Sequence, residues 1–65
     1  MKHWYDADAD ALIVRFSEAK IIESEEMRPG VVFDFDQNGQ LVAIELLDVR
    51  KTLPADALIS LQAAE

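Results

Sequence analysis

The chain has no cysteine and a single histidine. Disulfides are therefore excluded, and so is a closed structural zinc site, which draws its ligands from cysteine and histidine. Six lysines and arginines face thirteen aspartates and glutamates, a formal charge of −7. Such a field repels nucleic acid and anionic membrane and favours a basic partner or cations, besides keeping the protein in solution. Trp4, Tyr5 and the three phenylalanines lack the interleaved basic residues of a single-strand stacking platform, so they read as core. No apolar run approaches the ~18 residues of a membrane span. The opening Met1-Lys2-His3-Trp4-Tyr5-Asp6 lacks the apolar stretch of a signal peptide, and the expected location is cytoplasmic.

What remains is one domain of 65 residues, 51% hydrophobic. A chain this short buries only about 60% of its unfolded surface. Its core typically supplies roughly 3–5 kcal/mol of net stability. With staples excluded, oligomerisation is the remaining route to more, and a homodimer is expected.

Lys2–Tyr5 is β-prone and closes in an aspartate-rich turn, Asp6–Asp10. Ala11–Phe16 alternates as a strand, with Leu12, Val14 and Phe16 on one face and Ile13 and Arg15 on the other. Ser17–Lys20 reads as a hairpin connection to a third strand, Ile21–Met27, whose Glu23, Glu25 and Glu26 suit an edge. Arg28-Pro29-Gly30 has the chemistry of a type II turn. Val31–Asp36 and Leu41–Val49 then flank Asn38-Gly39.

The register of this last hairpin follows from its side chains. An even loop at Asn38-Gly39 sets Phe35, Phe33 and Val31 opposite Val42, Ile44 and Leu46, all apolar. A three-residue loop sets them opposite Leu41, Ala43 and Glu45. One residue of slip exchanges the two faces of a strand, so the apolar match favours the even register. The other face, with Leu41, Ala43, Leu47 and Val49 around Glu45, requires cover from a helix or a second subunit. Thr52-Leu53-Pro54-Ala55-Asp56 has the marks of a helix start. Ala57, Leu58, Leu61 and Ala64 continue it with helical spacing.

Three groups of residues invite a functional reading. Asp34, Asp36, Asn38, Gly39 and Glu45 fit the letter pattern of an EF-hand calcium loop, but strands flank them where helices are needed. In the even register Asp34, Asp36 and Glu45 share a face, and they are the metal candidates of this segment. Asp6, Asp8 and Asp10 form a second acidic cluster, with Ala11 and Ser17 where a calcium loop has Gly and an acid. Both clusters read better as turns, and no cofactor is expected. His3 has no identifiable orienting partner, and Ser17, Ser24 and Ser60 lie in no nucleophile elbow. A single sheet with one helix offers little room for a pocket. No enzyme is expected.

The segments Tyr5–Phe16, Pro29–Asp36 and Gly39–Asp48 together resemble a small prokaryotic family called domain of unknown function 2283. The resemblance runs through nearly the whole chain to Lys51, including the Asn-Gly hairpin and the Ile44-Glu45-Leu46-Leu47 strand; Ala43 stands where glycine is common. It implies no activity and no catalytic residue. In size and setting it implies at most a likeness to antitoxins, which matches an acidic domain suited to a basic partner. The fold expected is α+β: an antiparallel meander of four to five strands with a short C-terminal helix on one face, acting as a protein-interaction module. The alternative is a small-ligand or divalent-metal-binding domain built on the aspartate-rich turns.

Overall fold

The computed structural model describes residues 2–57. Five strands, β1 (Lys2–Asp6), β2 (Ala11–Arg15), β3 (Glu23–Arg28), β4 (Val31–Phe35) and β5 (Leu41–Leu46), form one antiparallel sheet. A four-residue helix, α1 (Val49–Thr52), follows. Residues 55–57 begin another helical turn. The helix expected from Pro54 onward, with Leu58, Leu61 and Ala64, lies outside the described residues beyond that turn.

The strand order is β1-β2-β5-β4-β3, which corrects the expected meander. Ser17–Lys20 does not close a hairpin. Its segment carries the chain past two strands, so that β2 pairs with β5 and β3 with the far side of β4. The reason lies in the side chains. Ala11-Leu12-Ile13-Val14 is apolar on both faces and gains most from an interior place beside β5. Every residue of β3 is exposed, and its three glutamates are least costly at an edge. Arg15 holds the crossing segment, donating from Nε to the Ser17 carbonyl at 2.8 Å and from Nη2 to the Ala19 carbonyl at 2.7 Å.

The β4–β5 hairpin satisfies both registers weighed from sequence. At its tip the loop is Gln37-Asn38-Gly39. The Gly39 N–H donates to the Asp36 carbonyl and the Asp36 N–H to the Gln40 carbonyl, both at 3.0 Å, with Gly39 at φ +76°. This is the three-residue loop with a left-handed glycine. The Asp36 side chain reinforces it by accepting the N–H groups of Asn38 and Gln40 through Oδ1. Phe35 consequently faces Leu41, not Val42 as expected. A bulge then absorbs Val42 as an extra residue, and Phe33 meets Ile44 and Val31 meets Leu46 as expected. Across β5 the same face continues through Leu46↔Leu12 and Ile44↔Val14. Among the described residues, Leu12, Val42, Ala43 and Val49 are the buried apolar ones. Of the residues expected on the second face, Ala43 is covered there, and Leu41 is moved by the bulge to the Phe35 face and stays 37% exposed. Leu47 and Val49 lie past the end of β5, Val49 within α1.

Two turns fasten α1 to the sheet. Asp48, at φ +51°, precedes the helix but makes no side-chain cap. Asp10 supplies what Asp48 does not: its carbonyl accepts the Val49 N–H at 3.1 Å and its Oδ2 the Arg50 N–H at 3.2 Å. Gly30, at φ +82° as the type II turn requires, accepts the Leu47 N–H at 2.8 Å. A β-carbon at Gly30 would lie 3.1 Å from the Leu47 carbonyl oxygen, whereas one at Gly39 would meet nothing within 4 Å.

These two glycines give a controlled comparison. Gly39→Ala should cost about 1 kcal/mol, the left-handed backbone penalty alone. Gly30→Ala should cost about 2 kcal/mol, because the added methyl also presses on the carbonyl of Leu47, the residue whose N–H the turn holds. Urea denaturation of the two variants measures the difference, with Gly30→Ala the less stable.

Candidate functional site

Alternation and register place Asp34 and Glu45 together. Asp34 lies opposite Ala43, and Glu45, two residues along β5, lies opposite Val32, so the two carboxyls are diagonal neighbours on one face. On its other side Glu45 faces Ile13 of β2. From the outer strand, Ser24 lies opposite Asp34 and donates its hydroxyl to Oδ1 at 2.6 Å.

Asp34 is the one buried charged residue among those described, with 1% of its surface exposed. Its Oδ2 is buried without a hydrogen-bond partner. Glu45 is only part-buried, and its carboxyl is pushed up to about 7. The hydrogen bond with Asp34 is the largest cause, followed by burial and by the Asp34 charge. A proton on Glu45 is the donor that the orphaned Oδ2 lacks. Glu45 thus keeps its proton beside Asp34 through the acid range and releases it near neutrality.

The other sequence candidates are dispersed. Asp36, expected beside Asp34 and Glu45, is engaged with the loop N–H groups of Asn38 and Gln40. Asp36 stands past the end of β4, where the three-residue loop turns its carboxylate to its own N–H groups and away from the pair. Asp6 Oδ1 accepts the N–H groups of Asp8 and Ala9 within its own turn. Asp10 turns instead towards Tyr5, whose hydroxyl donates to Oδ1 at 2.8 Å, and towards Arg50, 3.9 Å from the same oxygen. Burial pushes the Asp10 carboxyl up, but the Tyr5 hydroxyl, the Arg50 N–H and the Arg50 charge together hold it below its ordinary value. Tyr5 is correspondingly raised, chiefly by its hydrogen bond to Asp10. Thus Asp6, Asp8 and Asp10 do not converge on one point. No group of three or more His, Cys, Asp or Glu side chains suited to a metal occurs among the described residues.

His3 lies exposed on β1 opposite Val14, away from the carboxyl pair. The Ser17 hydroxyl accepts the Ala19 N–H, a turn contact, and Ser60 lies outside the described residues. A shallow cavity of about 300 Å3 opens at the hairpin end, between Ala19, Lys20 and Ile22 on one side and Asp36, Gln37 and Asn38 on the other. Neither Asp34 nor Glu45 lines it, although Ile22 and Asp36 stand only two residues along from Ser24 and Asp34. Sequence reasoning placed Asp34 and Glu45 on one face but missed Ser24. The signal for Ser24 is its polar place in a strand of charges, legible only once β3 is paired with β4. No helix among the described residues is long and apolar enough to cross a membrane.

The carboxyl pair makes stability depend on pH with a definite sign. Glu45 binds its proton more tightly folded than unfolded, so its contribution is fully present below about pH 4.5 and is lost as pH rises through about 7. Carbon-13 titration should show a Glu45 inflection near 7 that returns towards the ordinary carboxylate range in Asp34→Asn. Glu45→Gln should be more stable than the parent at pH 8, by about 1 kcal/mol after allowance for solvent screening, and should flatten the loss of stability between pH 5 and 7.

The model of one protein family, "Protein of unknown function (DUF2283)", matches residues 2–50. No curated protein and no solved structure matches the chain. The matched segment begins with β1 and ends within α1, taking in every strand of the sheet and the Asp34–Glu45 pair. The chain therefore belongs to the family of proteins of unknown function DUF2283.

Proposed function

We propose that this protein is a non-enzymatic interaction module that receives an extended segment of a basic protein along the free edge of β3. The observation that carries the reading is the exposure of all six residues of Glu23–Arg28. β3 pairs with β4 on one side only, so its outer main-chain N–H and C=O groups are open to a further strand. Glu23, Glu25 and Glu26 give that edge a negative field, and Ile22 and Met27, 57% and 51% exposed, flank it with apolar surface. A strand bearing lysine or arginine satisfies the main-chain groups and the charges together. An antitoxin-like role in the cytoplasm, in which occupancy of this edge neutralises a basic protein, is the specific form of this reading.

A second reading rests on the unpartnered Asp34 Oδ2: a divalent cation held by Asp34 and Glu45. Two carboxyls and one hydroxyl are few ligands for calcium, which takes six to eight oxygens, and the bound proton serves the same oxygen. A thermal-shift series with Mg2+ and Ca2+ separates the two, since a ligand bound to the folded state must raise the melting temperature. The interaction reading expects no shift at millimolar metal.

The edge itself is tested by charge reversal. The tagged protein should recover a stoichiometric basic partner from native extract, in a complex weakened by salt. The Glu23→Lys/Glu25→Lys/Glu26→Lys variant should lose that partner while retaining the circular dichroism of the parent. Recovery of no stoichiometric partner, or retention of the partner by the variant, would overturn the reading.

A further inference from the structure

The sheet has two free edges, and their sequences answer differently to a second copy of the chain. Along β3, an antiparallel two-fold pairing centred on residue 24, 25 or 26 sets a glutamate opposite a glutamate: Glu23 with Glu25, Glu25 with itself, or Glu26 with itself. Along β1 the strand reads Lys2-His3-Trp4-Tyr5-Asp6. Centred on Trp4, the same symmetry sets Lys2 opposite Asp6, His3 opposite Tyr5 and Trp4 opposite Trp4. Opposite charges meet twice, once at each end of the five residues.

We propose that a second copy of this chain occupies the open edge of β1, in an antiparallel two-fold register centred on Trp4. Lys2, Trp4 and Asp6 share one face of the sheet, since they alternate along β1 opposite Arg15, Ile13 and Ala11. The two charge pairs therefore flank the two indoles on the same side. Trp4 is 44% exposed, a large apolar surface to leave in water on an edge strand. The groups needed are accessible. Lys2 makes only a 3.7 Å contact with Glu18 between side chains 70% and 76% exposed, an ion pair worth little. Asp6 uses Oδ1 for its turn, which leaves Oδ2 for the partner's lysine. The product is a continuous sheet of both copies, with the acidic β3 edges at opposite ends. The glutamates of β3, and the bulge that interrupts it between Glu26 and Arg28, oppose self-pairing at that edge, so the two-fold pairing closes at the dimer. Five residues on each side make a small interface of the weak, dissociable class. The proposal does not depend on what binds β3.

The absence of cysteine makes the register directly readable. Under mild oxidation, Trp4→Cys should give a disulfide-linked dimer, because the two substituted positions face each other across the two-fold axis. His3→Cys, Tyr5→Cys and, on the other edge, Glu25→Cys should not. In sedimentation velocity the unmodified protein should pass from dimer to monomer on dilution, and Lys2→Glu should weaken the dimer about tenfold by setting like charges opposite. The Lys2→Glu/Asp6→Lys variant should restore it. A monomer at all concentrations, growth beyond the dimer, or a cross-link at Glu25→Cys in place of Trp4→Cys would each overturn the proposal. The cross-linking arm keeps it falsifiable even where Asp6→Lys disturbs the turn.

Discussion

The bulge at Val42 is the feature on which the rest of the sheet depends. Two local demands conflict in the β4–β5 hairpin. Asn38-Gly39, helped by Asp36, closes a three-residue loop and sets Phe35 against Leu41. The apolar residues further along require Phe33 against Ile44 and Val31 against Leu46. One inserted residue meets both demands. Without it, the loop register would continue and set Glu45 opposite Val31 on the apolar face, with Asp34 on the other. The bulge therefore both completes the core and brings Asp34 to Glu45.

The order of strands follows from how each tolerates exposure. β5 has buried residues side by side, Val42 and Ala43, and belongs in the middle. β2 and β4 are next in apolar content and flank it. β3, entirely exposed and acidic, and β1, mostly exposed, take the edges. The cost of that order is a connection that must cross the end of a hairpin, and Arg15 secures it through two carbonyls. Asp10 and Gly30 do the corresponding work at the opposite end, where they hold α1 and the chain leaving β5. The edges are left as the surfaces with unspent main-chain hydrogen bonds, which is why an interaction role is better supported than a catalytic one.

The candidate site was legible to the extent that it depends on strand parity. Asp34 and Glu45 fall on one face in any register with even offset, and their segment could be read as such. Asp36 could not be separated from them, because its engagement with the Asn38 and Gln40 N–H groups depends on a three-residue loop that the apolar pattern argues against. In the sequence Asp10 is one of three similar aspartates in a turn. Its distinction comes from Tyr5 and from Arg50, the latter forty residues away in sequence. The Ser24 hydroxyl reached Asp34 through a pairing that only the strand order defines.

By itself the sequence determined where five strands lie though not their ends, the turn at Gly30, the acidic edge and most of the long hairpin's register, but not the length of the loop at Gly39. Each rests on local physics: side-chain alternation, left-handed backbone at glycine and the cost of burying glutamate. It also determined what is excluded, since no fold can create a disulfide from a chain without cysteine. The tertiary structure alone decided the strand order, the placement of the bulge and the environment of each aspartate. These are competitions between segments distant along the chain, and their outcome depends on which pairing buries more. Of the seven aspartates, Asp6 and Asp36 accordingly became turn braces, Asp10 a helix anchor and Asp34 a buried partner for Glu45.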